Sequence, residues 1–238
     1  MKTLYKSGGI SISQIMYSNN PLLLSNNNRC ILVDTGVKEK CETILDRIEK
    51  ALNGRHLQAL IITHAHHDHV ENVASIKEKF KAKVIAQKDE ADYIQKGISS
   101  PLSPWNYAKG EKIIKCSLAR WNFKPTEVDI WVEEQMSLSE YGMNAYLLCT
   151  PGHSCGDLSI IVNNEVAIVG DSLGGMKKRP FAKKIHIASE RAVTSWETLI
   201  GLNLKKYITT HNVIIEYEDL IAMYENYKIE VDLLRKLS

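Results

Sequence analysis

The sequence lacks the features that identify several large classes of protein. Its five cysteines form no CxxC pair, and no apolar segment follows the basic N-terminus. This disfavours a secretory signal and predicts reduced thiols in the cytoplasm. No apolar run approaches the roughly 20 residues of a membrane span, so we expect no membrane partner. The net charge of +2 disfavours nucleic acid, and neither nucleotide-binding glycine motif is present.

What remains is an ordinary globular composition of 238 residues, with 44% hydrophobic and 24% charged side chains. A chain of this length can bury a substantial core without disulfides or structural metals. We therefore predict a single domain over 1–238. The segment 96–126 contains three prolines and several aromatic residues, and we interpret it as a lid or an insertion. The sequence carries no signal for oligomeric state.

Hydrophobic periodicity predicts alternating strands and helices. Strands are expected in a hairpin that ends at Asp34, and over 57–63, 83–86 and 207–210. Helices are expected over 37–52, 70–80 and 189–204, and in an amphipathic tail that includes Leu220 and Leu234. The span 128–170 alternates strand-like runs with turns and has no crossover helix. This organisation favours two sheets with helices outside them over a single doubly wound sheet.

The strongest functional signal is a cluster that directly follows the predicted strand 57–63. His64, His66, Asp68 and His69 lie within six residues, together with His67. Imidazole and carboxylate groups are the ligands that suit zinc and similar divalent ions. A solvated polar loop is the alternative, but four adjacent imidazoles repel one another once protonated unless a metal holds them. We therefore interpret the cluster as a metal site.

Three further candidate ligands each follow an apolar run. His153 comes after 145–149, Asp171 after 166–169, and His211 after the strand that begins at Tyr207. Loops at the carboxyl ends of strands are a usual position for functional side chains on a rigid scaffold. The three positions therefore fit a site assembled from several strand ends.

In their order and spacing, these motifs resemble the metallo-β-lactamase superfamily. The resemblance rests on HxHxDH at 64–69, PGH at 151–153, GD at 170–171, a late histidine at 211, and Asp34-Thr-Gly near the start. It spans nearly the whole chain. It implies an α/β fold, specifically a four-layer αββα sandwich.

The resemblance also implies a role for each matching residue. His64, His66 and His153 would hold a first ion, and Asp68, His69 and His211 a second. Asp171 would bridge the two ions, and Asp34 would orient a ligand histidine or stabilise the loop of the site. His67 has no ligand role in this pattern, so we expect it to face solvent or to support a ligand.

The resemblance implies the activity of a binuclear metal-dependent hydrolase. Its substrate would be a small-molecule thioester, ester or lactone, and its nucleophile a hydroxide that bridges two divalent ions. Zinc is the expected metal, and iron and manganese accept the same ligands. Asp68 is the candidate catalytic residue, because its carboxylate can orient or deprotonate the nucleophile. Two alternatives remain open: a phosphodiesterase of the same superfamily, and an iron-dependent oxidoreductase similar to persulfide dioxygenases.

Two features depart from the family pattern or bear on the choice of branch. The glycines that often flank the last histidine are replaced here by Thr210 and Asn212. Aspartate rather than cysteine at 171 resembles the glyoxalase II, lactonase and phosphodiesterase branches. With no secretory signal, antibiotic hydrolysis is not expected.

Two further segments could carry other chemistry. Gly152 to Gly156 matches GxSxG, so Ser154 with Asp171 and His211 has the order of an α/β-hydrolase triad. The following sequence predicts strand–turn–strand instead of the required helix, which disfavours this interpretation. The basic residues Lys177, Lys178 and Arg179 are candidates for binding an anionic substrate, with a solvated loop as the alternative.

Overall fold

Two β-sheets form the centre of the structure, a computed structural model that describes residues 1–16, 21–101, 122–174, 190–211 and 213–236. The first sheet has seven strands in sequence order. They are β1 (Lys2–Ser7), β2 (Ile10–Gln14), β3 (Leu22–Ser25), β4 (Cys30–Val33), β5 (Leu57–Ile61), β6 (Lys83–Gln87) and β7 (Ile130–Val132). Neighbours from β1 to β4 pair antiparallel, and neighbours from β4 to β7 pair parallel.

The second sheet has six strands in the order β13-β12-β11-β10-β9-β8. They are β8 (Gln135–Ser137), β9 (Ala145–Cys149), β10 (Leu158–Val162), β11 (Val166–Ile168), β12 (Lys206–Ile208) and β13 (Ile214–Glu216). All neighbouring pairs are antiparallel except β11 with β12. A parallel pair needs a crossover connection, and a helix supplies it here.

Six α-helices occur among the described residues. They are α1 (Cys41–Leu52), α2 (His67–Val70), α3 (Val73–Phe80), α4 (Lys88–Lys96), α5 (Glu190–Gly201) and α6 (Tyr217–Lys236). Among these described helices, none is long and apolar enough to cross a membrane.

Three separate clusters of buried side chains define the layers. In the first cluster, Ile48 of α1 and Ile94 of α4 lie with Leu32 and Leu60 of the first sheet. The second cluster joins the facing sides of the two sheets, for example Ile31 with Ile160. The third packs α5 and α6 on the outer side of the second sheet, and contains Trp196, Leu220 and Ile161.

Alternation along the strands explains these layers. Leu32 lies in the outer cluster of the first sheet, and its neighbours Ile31 and Val33 lie in the cluster between the sheets. In β10, Ile161 points outward while Ile160 points inward. Successive strand side chains point to opposite faces, and both faces are covered, so these strands are continuous apolar runs. The four-layer αββα sandwich predicted from the sequence is confirmed.

The predicted element boundaries hold for most elements, with two corrections. Asn53 adopts a left-handed conformation (φ 47°) and ends α1, as the sequence predicts. The single helix predicted over 70–80 is instead the short α2 followed by α3. The prediction also omitted α4, whose start is capped by the Gln87 side chain, which accepts from the backbone of Asp89 and Glu90.

Most of the segment interpreted as a lid lies outside the described residues, which end at 101 and resume at 122. At its base, Ile98 and Asn122 form an isolated antiparallel bridge. The single-domain organisation and the lid therefore stay predictions.

Candidate metal centre

The candidate ligands are carried by loops at the carboxyl ends of strands. β4 ends one residue before Asp34, and β5 leads into the loop that contains His64 and His66. In the second sheet, β9 precedes the loop of His153, β11 precedes Asp171, and β12 precedes His211. The amide of Leu158 donates to the carbonyl of Thr63 over 2.8 Å, which ties the ends of the two sheets together. The candidate site thus spans the junction between the sheets.

Three histidines form one group of candidate ligands. His64, His66 and His153 each offer a ring nitrogen, and these atoms all lie within 4.8 Å of one another. Nε2 of His153 is 2.9 Å from Nδ1 of His66. All three residues are buried, with exposed fractions of 0%, 8% and 7%. A zinc ligand atom lies about 2.0–2.2 Å from its ion, so nitrogens this close to one another are candidates for binding a single ion.

A second group mixes imidazole with carboxylate. Asp68, His69 and His211 also bring one ligand atom each within 4.8 Å of the others. Nε2 of His69 is 3.7 Å from Oδ1 of Asp68, and Nε2 of His211 is 3.5 Å from Oδ2 of Asp68. The geometry could therefore hold a second ion beside the first.

Asp171 lies between the two groups. Its Oδ2 is 3.0 Å from Nε2 of His211, 3.7 Å from Nε2 of His69 and 3.8 Å from Nε2 of His153. The preceding Gly170 has φ 50°, and a Cβ there would be 2.9 Å from the Thr63 side chain. A glycine is required at 170 because the strand end must pass this close to the histidine loop.

Asp34 is fully buried and receives three hydrogen bonds. Thr63 donates through its amide to Oδ1 and through its hydroxyl to Oδ2, each over 2.8 Å. Nδ1 of His69 is also 2.8 Å from Oδ2, so it donates a proton there, and Nε2 becomes available as a ligand atom once the ring is neutral. The backbone of Asp34 is left-handed (φ 60°), an uncommon conformation that aspartate tolerates better than most residues.

Thr63 extends this network to the other group. Its hydroxyl donates to Asp34, so its oxygen can accept from Nδ1 of His64, which is 3.1 Å away. This arrangement places the His64 proton on Nδ1 and leaves Nε2 as a ligand atom. One aspartate thus sets the tautomer of one histidine directly and of another through a threonine.

The two groups differ in electrostatics. Burial and the neighbouring imidazoles of His69, His66 and His153 hold the pKa of His64 well below its usual value, so it is neutral. Burial would also lower the pKa of His69, but the carboxylates of Asp68, Asp34 and Asp171 outweigh it and raise that pKa well above 6.5.

The carboxylates of the second group show the complementary shifts. Burial alone would raise the pKa of Asp171, but His69 and His211 lower it well below its usual value. The pKa of Asp68 is lowered in the same way, and that of His211 is raised by Asp171 against the effect of burial. When no cation is bound, these shifts favour imidazolium at His69 and carboxylate at Asp68 and Asp171.

Buried side-chain atoms that lack a hydrogen-bond partner show whether a metal would fit the site. Nε2 of His64 and Oδ1 of Asp171 are buried and have no hydrogen-bond partner among the described residues. A buried polar atom without a partner costs about 1–3 kcal/mol, so such atoms in a native site call for an explanation. A divalent cation accepts electron pairs from nitrogen and oxygen and would satisfy both atoms. The donor set of five histidines and two aspartates fits zinc.

The other predicted residues fall in different places. His67 starts α2, with a side chain that is 30% exposed and Nδ1 3.7 Å from Oδ1 of Asp68. Ser154 is buried and is followed by β10 and not by a helix, so the nucleophile elbow of an α/β-hydrolase is absent from this described loop. Lys177, Lys178 and Arg179 lie outside the described residues.

Sequence analysis missed two buried carboxylates beside the ligand loops. Asp157 accepts from the amides of Gly152 and Ser154 and so shapes the loop of His153. Burial raises its pKa to about 8. Glu90 contacts both histidine loops. The sequence did not indicate a role for Glu90, because Glu90 belongs to a helix that was not predicted. Asp157 lies shortly after the PGH motif, and this position could have indicated its role.

The chain is similar in sequence to a known family and to named relatives. Residues 17–211 match the family model of the metallo-beta-lactamase superfamily. The chain is 28% identical to a probable metallo-hydrolase of Methanocaldococcus jannaschii over 157 residues, which cover 66% of this chain and 67% of the relative. It is 26% identical to a hydroxyacylglutathione hydrolase of Rhodopseudomonas palustris over 115 residues, which cover 48% of this chain but only 33% of the relative.

A solved structure shows the same fold over almost the whole chain. The FEZ-1 metallo-beta-lactamase of Legionella gormanii superposes with a TM-score of 0.69. The superposition covers 99% of this chain and 96% of the other at 15% sequence identity. At this identity the similarity concerns the fold alone.

Proposed function

The chain belongs to the metallo-β-lactamase superfamily and is a metal-dependent hydrolase, and on this premise we propose that it uses two divalent ions, zinc in both positions, to hydrolyse a small-molecule thioester, ester or lactone. The observation that carries the proposal is the position of Asp171. Its Oδ2 lies within 3.8 Å of ring nitrogens from both groups of candidate ligands. A single carboxylate between two groups is what a pair of neighbouring cations requires.

Each residue has a proposed role. His64, His66 and His153 would hold one ion, Asp68, His69 and His211 would hold the other, and Asp171 would contact both. Such ions, when bound, acidify a water and polarise the scissile carbonyl. Thiolate ligands are absent from the described groups, which contain only imidazole and carboxylate. That composition supports zinc and also accommodates iron or manganese, so the metal is to be measured directly.

Asp68 is the proposed catalytic residue. Its side chain is 18% exposed, so it reaches the open part of the site, whereas the side chain of His69 is only 3% exposed. Because its pKa is lowered, Asp68 is a carboxylate at neutral pH and can accept a hydrogen bond from the attacking water. It would orient this water toward the carbonyl carbon and take up its proton as the new carbon–oxygen bond forms. When the carbonyl re-forms, the bond from this carbon to the leaving sulfur or oxygen breaks, and the leaving group takes the proton from Asp68.

Similarity to named relatives supports a thioester as the first substrate class to test. The Rhodopseudomonas palustris relative is named a hydroxyacylglutathione hydrolase, and a Klebsiella pneumoniae protein of the same name is 39% identical over 64 residues. Both matches cover a third or less of those relatives. The basic run of Lys177, Lys178 and Arg179 also favours a substrate that carries a negative charge, as glutathione conjugates do.

The test combines metal analysis with a substrate panel. The purified chain is expected to hold two zinc ions and to hydrolyse a glutathione thioester or a lactone in preference to a phosphodiester or a β-lactam. His66→Ala and Asp68→Ala, separately and together, should each lose an ion and lower the rate by more than about 100-fold, since even a residue that only supports a ligand costs 10–100-fold. Asp68→Asn should lower the rate with less loss of metal.

His67→Ala is the matched control, because it removes a histidine of the same cluster that belongs to neither group. It should keep both ions. A wild-type chain without metal, or a double variant as active as wild type, would overturn the proposal. Preference for the phosphodiester would move the chain to the phosphodiesterase branch, and iron with oxygen consumption would move it to the oxidoreductases.

A further inference from the structure

Glu90 is a fully buried carboxylate that faces the candidate metal centre from the neighbouring helix. It lies in the first turn of α4, and its exposed fraction is 0%. Glutamate is almost never fully buried in proteins unless it is paired with donors. The partners that the described residues supply to the Glu90 side chain are neutral donors.

Those donors come from two different loops. Oε2 of Glu90 accepts from the amide of Ala65 over 2.7 Å. Oε1 accepts from the amide of Gly156 over 3.0 Å and from the thiol of Cys155 over 3.0 Å. One carboxylate therefore joins the loop after β5 to the loop after β9.

The residues on these loops explain why the joint matters. Ala65 lies between His64 and His66, and Gly156 lies three residues after His153. These three histidines form the imidazole group, and His66 and His153 are 87 residues apart in sequence. Glu90 thus fixes the distance between the two chain segments that must converge on one ion.

The loop at Gly156 packs closely against the start of α4, so the two segments have little room to move apart or together. A Cβ at residue 156 would be 2.0 Å from Oε1 of Gln87 and 3.0 Å from Cγ of Glu90, so the loop reaches the helix only because it has a glycine there. Gln87 also caps the start of α4 and thereby holds the turn that carries Glu90. The carboxylate is held in place before any ligand arrives.

We propose that Glu90 is a positioning residue for the imidazole group, and that it sets the affinity of this group for its ion by holding the loops of His64, His66 and His153 together. The proposal rests on the proposed function, because it assumes that this group binds a metal. It differs from the role of Asp34, which acts on the rings of His69 and His64 through their Nδ1 atoms.

Glu90→Gln tests the proposal at nearly constant shape. An amide keeps one acceptor oxygen but turns an NH2 toward a backbone N–H on the other side, so only one loop stays bonded. In a zinc titration against a chromogenic chelator, the ion of the imidazole group should bind about 10- to 100-fold more weakly. The other ion should keep its wild-type affinity, and this selectivity is what a general loss of stability would not produce.

Three variants complete the design. Asp92→Asn changes an exposed carboxylate on the same helix and should leave both affinities unchanged. Cys155→Ala removes the thiol donor but keeps both backbone donors, so its effect should be small. Glu90→Asp keeps both oxygens on a side chain one methylene shorter, and should show the same selective loss in smaller measure. It also carries the test if the glutamine variant does not fold.

The outcomes separate this inference from the proposed function. If the wild-type chain binds two ions and the Glu90 variants bind both as tightly, the positioning role is wrong while the hydrolase proposal stands. Equal weakening of both ions, with a lower melting temperature of the metal-free chain, would also overturn it, because that pattern indicates a purely structural residue. A wild-type chain that binds no zinc would instead overturn the proposed function.

Discussion

The two halves of the candidate metal centre use different chemistry to keep similar ligands in place. In the imidazole group of His64, His66 and His153, like groups face one another, and the pKa of His64 is lowered. In the mixed group of Asp68, His69 and His211, opposite charges attract one another, and the pKa of His69 is raised. The same residue type is therefore neutral on one side and protonated on the other.

The supporting residues follow this difference. The mixed group can hold its own shape, because Asp68 and Asp171 pair with its protonated histidines. In the imidazole group, a ring-to-ring contact of 2.9 Å between His66 and His153 joins the two loops directly. Glu90 joins the same loops a second time, through their backbone. The two halves are therefore assembled by different kinds of contact.

Removing the residue that both halves share should have the largest effect. Asp171→Ala deletes a carboxylate that lies near His153 on one side and His69 and His211 on the other. We expect both ions to bind weakly and hydrolysis to fall by more than about 100-fold, beyond the loss seen for residues that only support ligands. Metal content after gel filtration and the rate on a thioester measure this.

An exposed aspartate provides the control for this experiment. Asp219→Ala, at the start of α6, should keep both ions and full rate. If Asp171→Ala loses one ion and binds the other as tightly as wild type, Asp171 belongs to a single half. The division of the centre into two halves around a common carboxylate would then have to be redrawn.

Asp34→Asn should have an intermediate effect with the opposite selectivity to Glu90→Gln. Asparagine has one acceptor oxygen in place of two, so it cannot receive Nδ1 of His69 and both Thr63 donors. The ion of the mixed group should bind about 10- to 100-fold more weakly, and the other ion should be affected less. The same chelator titration measures both steps.

Asp46→Asn, on the exposed side of α1, controls for the loss of a carboxylate. Opposite selectivity in the Asp34 and Glu90 variants would sharpen the comparison between the halves. The same loss in both variants would break it, because the supports would then act on the centre as a whole.

Proton release should give the smallest but most direct difference. At pH 7 an ion entering the mixed group must displace the proton held on His69, whose pKa is raised well above 6.5. An ion entering the imidazole group displaces none from His64, whose pKa is lowered. Calorimetric titration in buffers of different ionisation enthalpy should therefore show that His69→Gln reduces the number of protons released on metal binding and that His64→Gln does not.

The metal-free chain should show the matching dependence of stability on pH. His69 has a higher pKa folded than unfolded, so its contribution is fully present below about pH 6.5 and is lost as pH rises through the raised value. His64 has a lower pKa folded than unfolded. Its contribution is present above about pH 6.5 and is lost as pH falls. The free energy of unfolding of the metal-free protein can be measured by urea unfolding across this pH range. His64→Gln should remove its decrease at acidic pH, and His69→Gln should remove its decrease at alkaline pH. Variants that keep both decreases would contradict the assigned charges.

Much of the architecture could be predicted because it depends on local patterns. Strand-like runs followed by histidine or aspartate marked the ends of β5, β9, β11 and β12, and Asn53 marked the end of α1. The seven candidate ligands come together in the structure as the motif order suggested. Their assignment to ions stays a prediction.

Among the supporting residues, Asp34 was predicted through the family resemblance, but Glu90 could not be, because its role depends on contacts across the fold. Glu90 lies in α4, a polar helix with few apolar positions to show its period, and its partners are backbone amides at 65 and 156. Backbone donors leave no mark on a sequence. Asp157 acts on the amides of Gly152 and Ser154, and its burial only becomes visible once β10 is packed between the sheets.

The hydrogen bond from Leu158 to Thr63 has a consequence for how the protein is made. It connects the end of the first sheet to the beginning of β10, a strand synthesised long after the histidine loop. Contacts between such distant segments form late, because the entropy of closing a long loop must first be overcome. The emerging chain therefore presents His64 and His66 well before His153 reaches them, and tight retention of an ion becomes a sign that both sheets have docked. An ion held by both loops would then add its binding free energy to the stability of the completed sandwich, at the final stage of folding.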